Sequence, residues 1–313
     1  MRIIYYFANS VLLNILYRVN GEERSEEMKK KLILFICLIL TAALPAASET
    51  KGYLFIIGGG RRPESMMKRF IELSEKFNSG KIIVFPMASS VPHEVGPEQA
   101  EQLRKYGAQD VEYHILSREQ ALKEENTRIL DDAGGVFFSG GVQSRLTAVL
   151  LNTPVHKKLL EIYKNGCAIG GTSAGAAVMS EIMITGDEKR EVEKGHEFET
   201  IQASNIVTLP GFGFIKTAII DQHFIRRKRH NRLISLVAEN PKLLGIGIDE
   251  STAIVIGPDE IFEVTGEGSV IVYDFSQAQI RLHPTQSISG DNMIMHILNA
   301  GDRFNLKTKR VLK

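Results

Sequence analysis

The chain has 313 residues, of which 43% are hydrophobic and 24% charged, a balance ordinary for a soluble globular protein and sufficient for one large domain or two small ones. Its net charge is +1 with acids and bases interspersed, so no global field favours DNA or RNA, and no nucleic-acid partner is expected. Its two cysteines are Cys37 and Cys167.

The first fifty residues differ from the rest. Met28-Lys29-Lys30-Lys31 precedes the apolar run 32–43, and Leu44-Pro45-Ala46-Ala47-Ser48 supplies the small residues that suit signal-peptidase cleavage. This is a secretory layout, and it predicts export to the periplasm or beyond the cell, with cleavage near Ala47 or Ser48. The run is shorter than the roughly 20 residues a spanning helix needs, so no stable membrane span is expected after cleavage. Residues 1–27 then lie upstream of the true start and carry no fold; the alternative is an apolar helix over 3–17. The reading is a leader over 1–48 and a single domain over 49–313. Cys37 leaves with the leader, and Cys167 remains as a buried structural thiol without a disulfide partner.

From Lys51 onward, apolar runs alternate with amphipathic stretches, the pattern of strands joined by helices in a mainly parallel sheet. Strands are predicted at 52–57, 81–85, 111–115 and 133–138, with helices at 64–78, 97–106, 118–124, 142–151 and 156–164. Residues 186–199 are charged without apolar period and predict an exposed loop. A strand at 219–223, a helix at 231–238 and a strand at 244–249 continue the layers. Runs at 253–256, 261–264 and 269–272, separated by Gly257-Pro258-Asp259 and Gly266-Glu267-Gly268, predict a β-meander.

Gly171-Thr172-Ser173-Ala174-Gly175 follows the small apolar run 166–170 and precedes Ala176-Ala177-Val178-Met179. A strand-to-helix turn of this kind holds a serine hydroxyl out of the backbone, and the helix start offers unpaired N–H groups to an oxyanion. A nucleophilic serine needs a base, and the base needs an acceptor to orient it. His223 closes an apolar strand within Asp221-Gln222-His223-Phe224, while His196, His230, His283 and His296 lie in polar surroundings. Three acids could orient His223: Asp221, two residues before it on the same face, and Asp249 or Glu250 at the end of 244–249. The order serine, histidine, acid differs from the serine, acid, histidine order of lipases and esterases. Gly58-Gly59-Gly60 with Arg61-Arg62 lacks the full phosphate-binding fingerprint and reads as a tight turn near the cleft.

Four segments in order, Phe137-Phe138-Ser139-Gly140-Gly141-Val142-Gln143, 171–176, 221–224 and 244–253, resemble the serine-peptidase family of cyanophycinase and aspartyl dipeptidase. The likeness runs from Gly52 to about Tyr273. It implies a glutamine-amidotransferase-like, flavodoxin-related three-layer α/β fold, no metal and no cofactor. It further implies a triad of Ser173, His223 and Glu250, an oxyanion hole of the Gly141 and Ala174 N–H groups, and a homodimer. Gln143, Asp221, Gln222, Arg227, Arg229 and Arg232 resemble the family's substrate-binding positions. Guanidinium forks suit the carboxylates of a poly-aspartate chain, and Asp221 could receive a substrate arginine. Where the family often has an acid after the paired glycines, this chain has Val142. The resemblance implies release of β-aspartyl-arginine from an arginine-bearing poly-aspartate. The alternatives are an aspartyl or isoaspartyl dipeptidase for short peptides and a silent binding protein of the same fold. A glutamine amidotransferase is disfavoured, since its nucleophile would be a cysteine at the elbow and Cys167 lies too far upstream.

Overall fold

Five of the predicted runs become strands β1 (Tyr53–Ile57), β2 (Lys81–Phe85), β3 (Val111–Tyr113), β4 (Ala133–Phe138) and β5 (Ala168–Thr172). The computed structural model describes residues 50–312 apart from position 194, so the leader expected over 1–48 lies outside the described residues. Except for the short edge strand β3, these strands are buried almost throughout, as parallel strands covered on both faces must be. They pair in parallel in the spatial order β3-β2-β4-β5-β1. Helices α1 (Glu64–Ser74), α2 (Pro92–Lys105), α3 (Arg118–Ala121), α4 (Gln143–Leu150) and α5 (Pro154–Asn165) form the crossovers. The α/β class and mainly parallel central sheet expected from the sequence are thus present.

Helix α2 opens at Pro92 rather than at 97. Proline suits the first helical position, where its fixed φ fits and its missing N–H has no partner to lose. Pro97 lies inside the helix and removes one backbone bond without ending it.

Along β1, Leu54 and Ile56 join one core with Phe138 and Ile169, whereas Phe55 and Ile57 join a second with Phe70 and Phe137. The period of two places alternate side chains on opposite faces. Each fully buried side chain of this size contributes roughly 1.5–3 kcal/mol relative to exposure, so both faces of β1 anchor its C-terminal end.

Past β5, the short helix α6 (Ala174–Ala177) leads to a hairpin of β6 (Ile182–Glu188) and β7 (Ile206–Pro210), which the sequence pattern does not announce. Then come β8 (Ala218–Gln222), α7 (His230–Glu239), β9 (Leu244–Ile248), β10 (Thr252–Ile256), β11 (Ile261–Gly266) and β12 (Val270–Asp274). The remainder is β13 (Gln279–Leu282), β14 (Ile288–Asp291), β15 (Ile294–Leu298), β16 (Arg303–Asn305) and β17 (Arg310–Leu312). β10, β11, β16 and β17 extend the large sheet antiparallel from β1.

Of the three runs expected to meander, β10 and β11 pair with each other, while β12 crosses to a second sheet ordered β15-β12-β9-β8. The reason is burial: β12 is apolar and covered along its whole length, so it needs neighbours above and below that an edge beside β11 would not supply. One face of the second sheet shares the first core through Ile220, Ile246 and Val272. Its other face packs under α7, with Ile219 and Ile271 against Leu233 and Val237. Among the described residues, no helix is long and apolar enough to cross a membrane.

Candidate active site

Ser173 sits between β5 and α6 with φ 54° and ψ −108°, a conformation that L-residues adopt only under constraint. Its neighbours must be small for contact reasons. A Cβ on Gly171 would lie 2.3 Å from the Gly175 carbonyl oxygen, and one on Gly175 would lie 2.3 Å from that of Phe138. The glycines therefore let the turn fold tightly over β4, and the serine side chain is left facing a cleft.

Three consecutive carbonyls at the end of β1 align the loops that meet here. Ile57 O accepts the Ser173 N–H at 3.0 Å, Gly58 O accepts the His223 N–H at 2.7 Å, and Gly59 O accepts the Ser251 N–H at 2.8 Å. Ser173, His223 and the residue after Glu250 are thereby referenced to one short stretch of backbone. The glycine run has a further reason to lack side chains, because a Cβ on Gly59 would come within 2.3 Å of the His223 ring. One on Gly60 would come within 2.7 Å of Glu250 Cβ.

The side chains then form a continuous relay. His223 Nε2 is 2.8 Å from Ser173 Oγ, and His223 Nδ1 is 2.6 Å from Glu250 Oε1. A carboxylate at Nδ1 fixes the tautomer whose Nε2 can take a proton from the serine hydroxyl. Burial lowers the His223 pKa; the Glu250 hydrogen bond raises it, and the Arg227 and Arg229 guanidiniums lower it again. The net direction is down, which favours the neutral, basic imidazole.

The other two acids have different duties. Asp249 Oδ1 accepts the Arg226 N–H at 2.9 Å, holding the segment after His223. Asp221 is fully buried and grips Arg232 in a two-pronged ion pair, Nε to Oδ2 at 2.7 Å and Nη2 to Oδ1 at 2.5 Å. Arg232, expected with Asp221 to meet substrate, is 1% exposed and closed on that carboxylate, which Arg229 Nη1 also approaches to 3.6 Å. Arg229 also turns inward, donating to the Gln222 carbonyl at 2.7 Å, and burial pulls its pKa down to about 10. Gln143 is 7% exposed, its Nε2 donating to the carbonyls of Ile184 and Thr185 at 2.7 Å each. Gln222 is buried beside His223 with its Oε1 unpartnered among the described residues. Arg227 alone of the six projects into solvent, close enough to influence His223.

Gly140 and Gly141 border the serine: a Cβ on Gly140 would lie 3.6 Å from Ser173 Cβ. Gly141 has φ +139°, and a Cβ there would meet the Ala88 oxygen at 2.1 Å. The loop is held by the Val142 N–H donating to Ala88 O at 2.8 Å. The Gly141 and Ala174 N–H groups make no hydrogen bond to another described residue. Such free donors beside a nucleophile can receive a developing oxyanion.

The cleft measures about 330 Å³, and beside Ser173 and His223 its lining includes Arg62, Glu98 and Gln99. Sequence reasoning passes over these three. The available signals are the position of Arg62 directly behind the glycine run and the helix predicted over 97–106, which holds Glu98 and Gln99. Cys167 is buried just before β5, and burial pushes its thiol pKa up, so it is a neutral core side chain. His196 and His283 bond to Glu199 and Ser289 at exposed positions, and His230 bonds to Tyr273, all outside the relay.

Residues 54–264 match the model of peptidase family S51. A cyanophycinase of Trichormus variabilis is 35% identical over 272 residues, covering 84% of this chain and 88% of that protein. One of Geminocystis herdmanii is 34% identical over 233 residues, covering 72% and 83%. Among solved structures, a peptidase from an acI-B1 Actinobacterium has a TM-score of 0.62 at 23% identity, covering 82% of this chain and 98% of that one, which shows a shared fold. The family match spans every residue of the serine, histidine and glutamate relay, and the chain belongs to peptidase family S51, as a serine-type peptidase.

Proposed function

We propose that this protein is an exported serine exopeptidase that hydrolyses multi-L-arginyl-poly-L-aspartate to β-aspartyl-arginine dipeptides through an acyl-enzyme. The observation that carries the chemistry is the unbroken relay from Ser173 through His223 to Glu250. The substrate rests on the likeness to cyanophycinases over most of both chains. Ser173 Oγ attacks the scissile carbonyl carbon while its proton passes to His223 Nε2, and the oxyanion is received by the Gly141 and Ala174 N–H groups. His223 returns the proton to the leaving nitrogen as the C–N bond breaks. Water, deprotonated by the same imidazole, then attacks the ester and frees the serine. The exposed Arg227 offers its guanidinium to a carboxylate of the incoming polymer. The test is incubation of the purified protein with cyanophycin and mass spectrometry of the soluble products. Release of β-aspartyl-arginine supports the proposal; an intact polymer sinks it.

A second reading, a dipeptidase of short aspartyl or isoaspartyl peptides, is favoured by one observation. Asp221 and Arg232 are closed on each other, which leaves fewer side chains to grip a polymer. Cleavage of short β-aspartyl peptides with no polymer turnover would select it. Export rests on the Met28 to Ser48 pattern and is checked by N-terminal sequencing of protein recovered outside the cytoplasm. A homodimer rests on the family resemblance and is read by sedimentation velocity.

The lowered His223 pKa has a kinetic consequence. The base must be neutral, so the acid limb of kcat/KM is expected below the ordinary histidine value of about 6.5. Arg227→Gln removes a cation that disfavours the imidazolium. The limb should therefore move to higher pH in that variant. A limb unmoved by the substitution would separate Arg227 from the titration of the base.

A further inference from the structure

One wall of the cleft carries a cation and an acceptor to which the relay assigns no task. Arg62 is half-buried beside the cleft, and its guanidinium carbon lies 5.9 Å from the Phe137 ring centre. It makes no hydrogen bond and no ion pair among the described residues. Glu98, exposed on α2, favours the charged guanidinium at longer range without pairing to it. Burial meanwhile lowers the Arg62 pKa. Gln99 is 7% exposed, lines the same cleft, and its buried Oε1 has no hydrogen-bond partner.

A largely enclosed guanidinium without an anion and a buried carbonyl without a donor are both unfavourable when left alone. A single ligand residue that brings a carboxylate and an N–H together relieves both. A peptide substrate supplies that pair at its C-terminal residue and at any β-linked aspartate whose α-carboxylate is free. Arg227 stands on the exposed segment beyond His223 and acts electrostatically on its imidazole. Of these two, only Arg62 is withdrawn from bulk water, where a fork-shaped contact discriminates best.

We infer that Arg62 and Gln99 form a specificity subsite that reads a substrate carboxylate together with a neighbouring N–H. The inference rests on the peptidase reading of the cleft and deepens it by naming what the substrate must carry beside its scissile bond. The carboxylate is either the terminal one of the departing residue or the α-carboxylate of a β-linked aspartate. Both have the same chemistry, and the test separates them.

The full chain bearing Ser173→Ala binds ligands without consuming them. Three probes are titrated by calorimetry: β-aspartyl-arginine, the same dipeptide amidated at the arginine carboxylate, and the same dipeptide amidated at the aspartate α-carboxylate. Adding Arg62→Gln is expected to weaken the unmodified dipeptide roughly 10- to 100-fold, the range for a hydrogen bond between charged groups. One amidated probe should bind the Arg62 protein as weakly as the unmodified dipeptide binds the variant, and should be insensitive to Arg62→Gln; that probe identifies the carboxylate. Arg62→Lys, which keeps the charge and loses the fork, should fall between. An equal loss for all three probes, no loss for any, or no binding by the Ser173→Ala protein overturns the inference. A thermal melt of the Arg62→Gln protein that coincides with the parent's shows that the fold is intact. Absence of polymer turnover defeats the cyanophycinase reading separately and leaves this binding cycle standing.

Discussion

Ser173→Ala should lower dipeptide release by roughly 10⁵- to 10⁶-fold, the scale on which removal of a serine nucleophile acts in comparable relays. The substitution removes the Oγ that lies 2.8 Å from His223 Nε2 and leaves the imidazole, Glu250 and the free N–H groups in place. Without that oxygen no acyl-enzyme forms, and what survives is binding and oxyanion stabilisation acting on water. Folding is expected to persist, since Ser173 is held by its backbone N–H to Ile57 and its side chain meets only the histidine. Steady-state rates paired with a thermal melt separate the two effects. A variant that melts normally and retains a tenth of the activity would remove Ser173 from the chemistry.

Asp221→Ala should be the most destabilising single change near the site, by roughly 3–5 kcal/mol, because it strands the buried Arg232 guanidinium. Both partners are essentially without solvent contact, so no water replaces the lost carboxylate. Asp221 Oδ1 also accepts the Gln222 N–H at 2.8 Å, next to His223, and the loss is expected to loosen the base. Replacing the pair together with apolar residues of similar volume, as in Asp221→Leu with Arg232→Met, should restore part of the stability, since Arg229 and the Gln222 N–H still lose the Asp221 carboxylate. Urea unfolding of the two variants checks this. An Asp221→Ala protein within 1 kcal/mol of the parent would mean that the ion pair does not hold the fold.

The serine turn was legible because its small residues are a geometric necessity that few other sequences satisfy. The histidine followed from its place at the end of an apolar strand. The acid was not legible from period alone, since Asp221, Asp249 and Glu250 all close apolar runs. What separates them is tertiary: Arg232 on α7 reaches back to Asp221, and the Arg226 N–H caps Asp249, leaving Glu250 for the imidazole. Contacts with Asp221 and the Gln222 carbonyl likewise turn Arg229 and Arg232 to the interior, which sequence pattern alone does not announce. The hydrogen bonds that hold Gln143 run to β6 carbonyls of a hairpin with weak sequence signals, so local pattern does not reveal them. The crossing of β12 into the second sheet depends on which neighbours can bury it, and local turn chemistry does not encode that.

The alignment of three turns on the end of β1 also bears on when the protein becomes a peptidase. β1 opens the described domain, yet the N–H groups it receives come from Ser173, His223 and Ser251, spread over the following half of the chain. The last of these arrives only when Ala253 has paired opposite Ile57. Contacts so distant in sequence carry a large loop-closure entropy, and we expect them to form late in folding. A nascent or partly unfolded chain therefore exposes a serine and a histidine that are not yet in register, and hydrolytic competence appears only with closure of the large sheet. Topology itself delays the chemistry until the protein's own backbone has been folded out of reach.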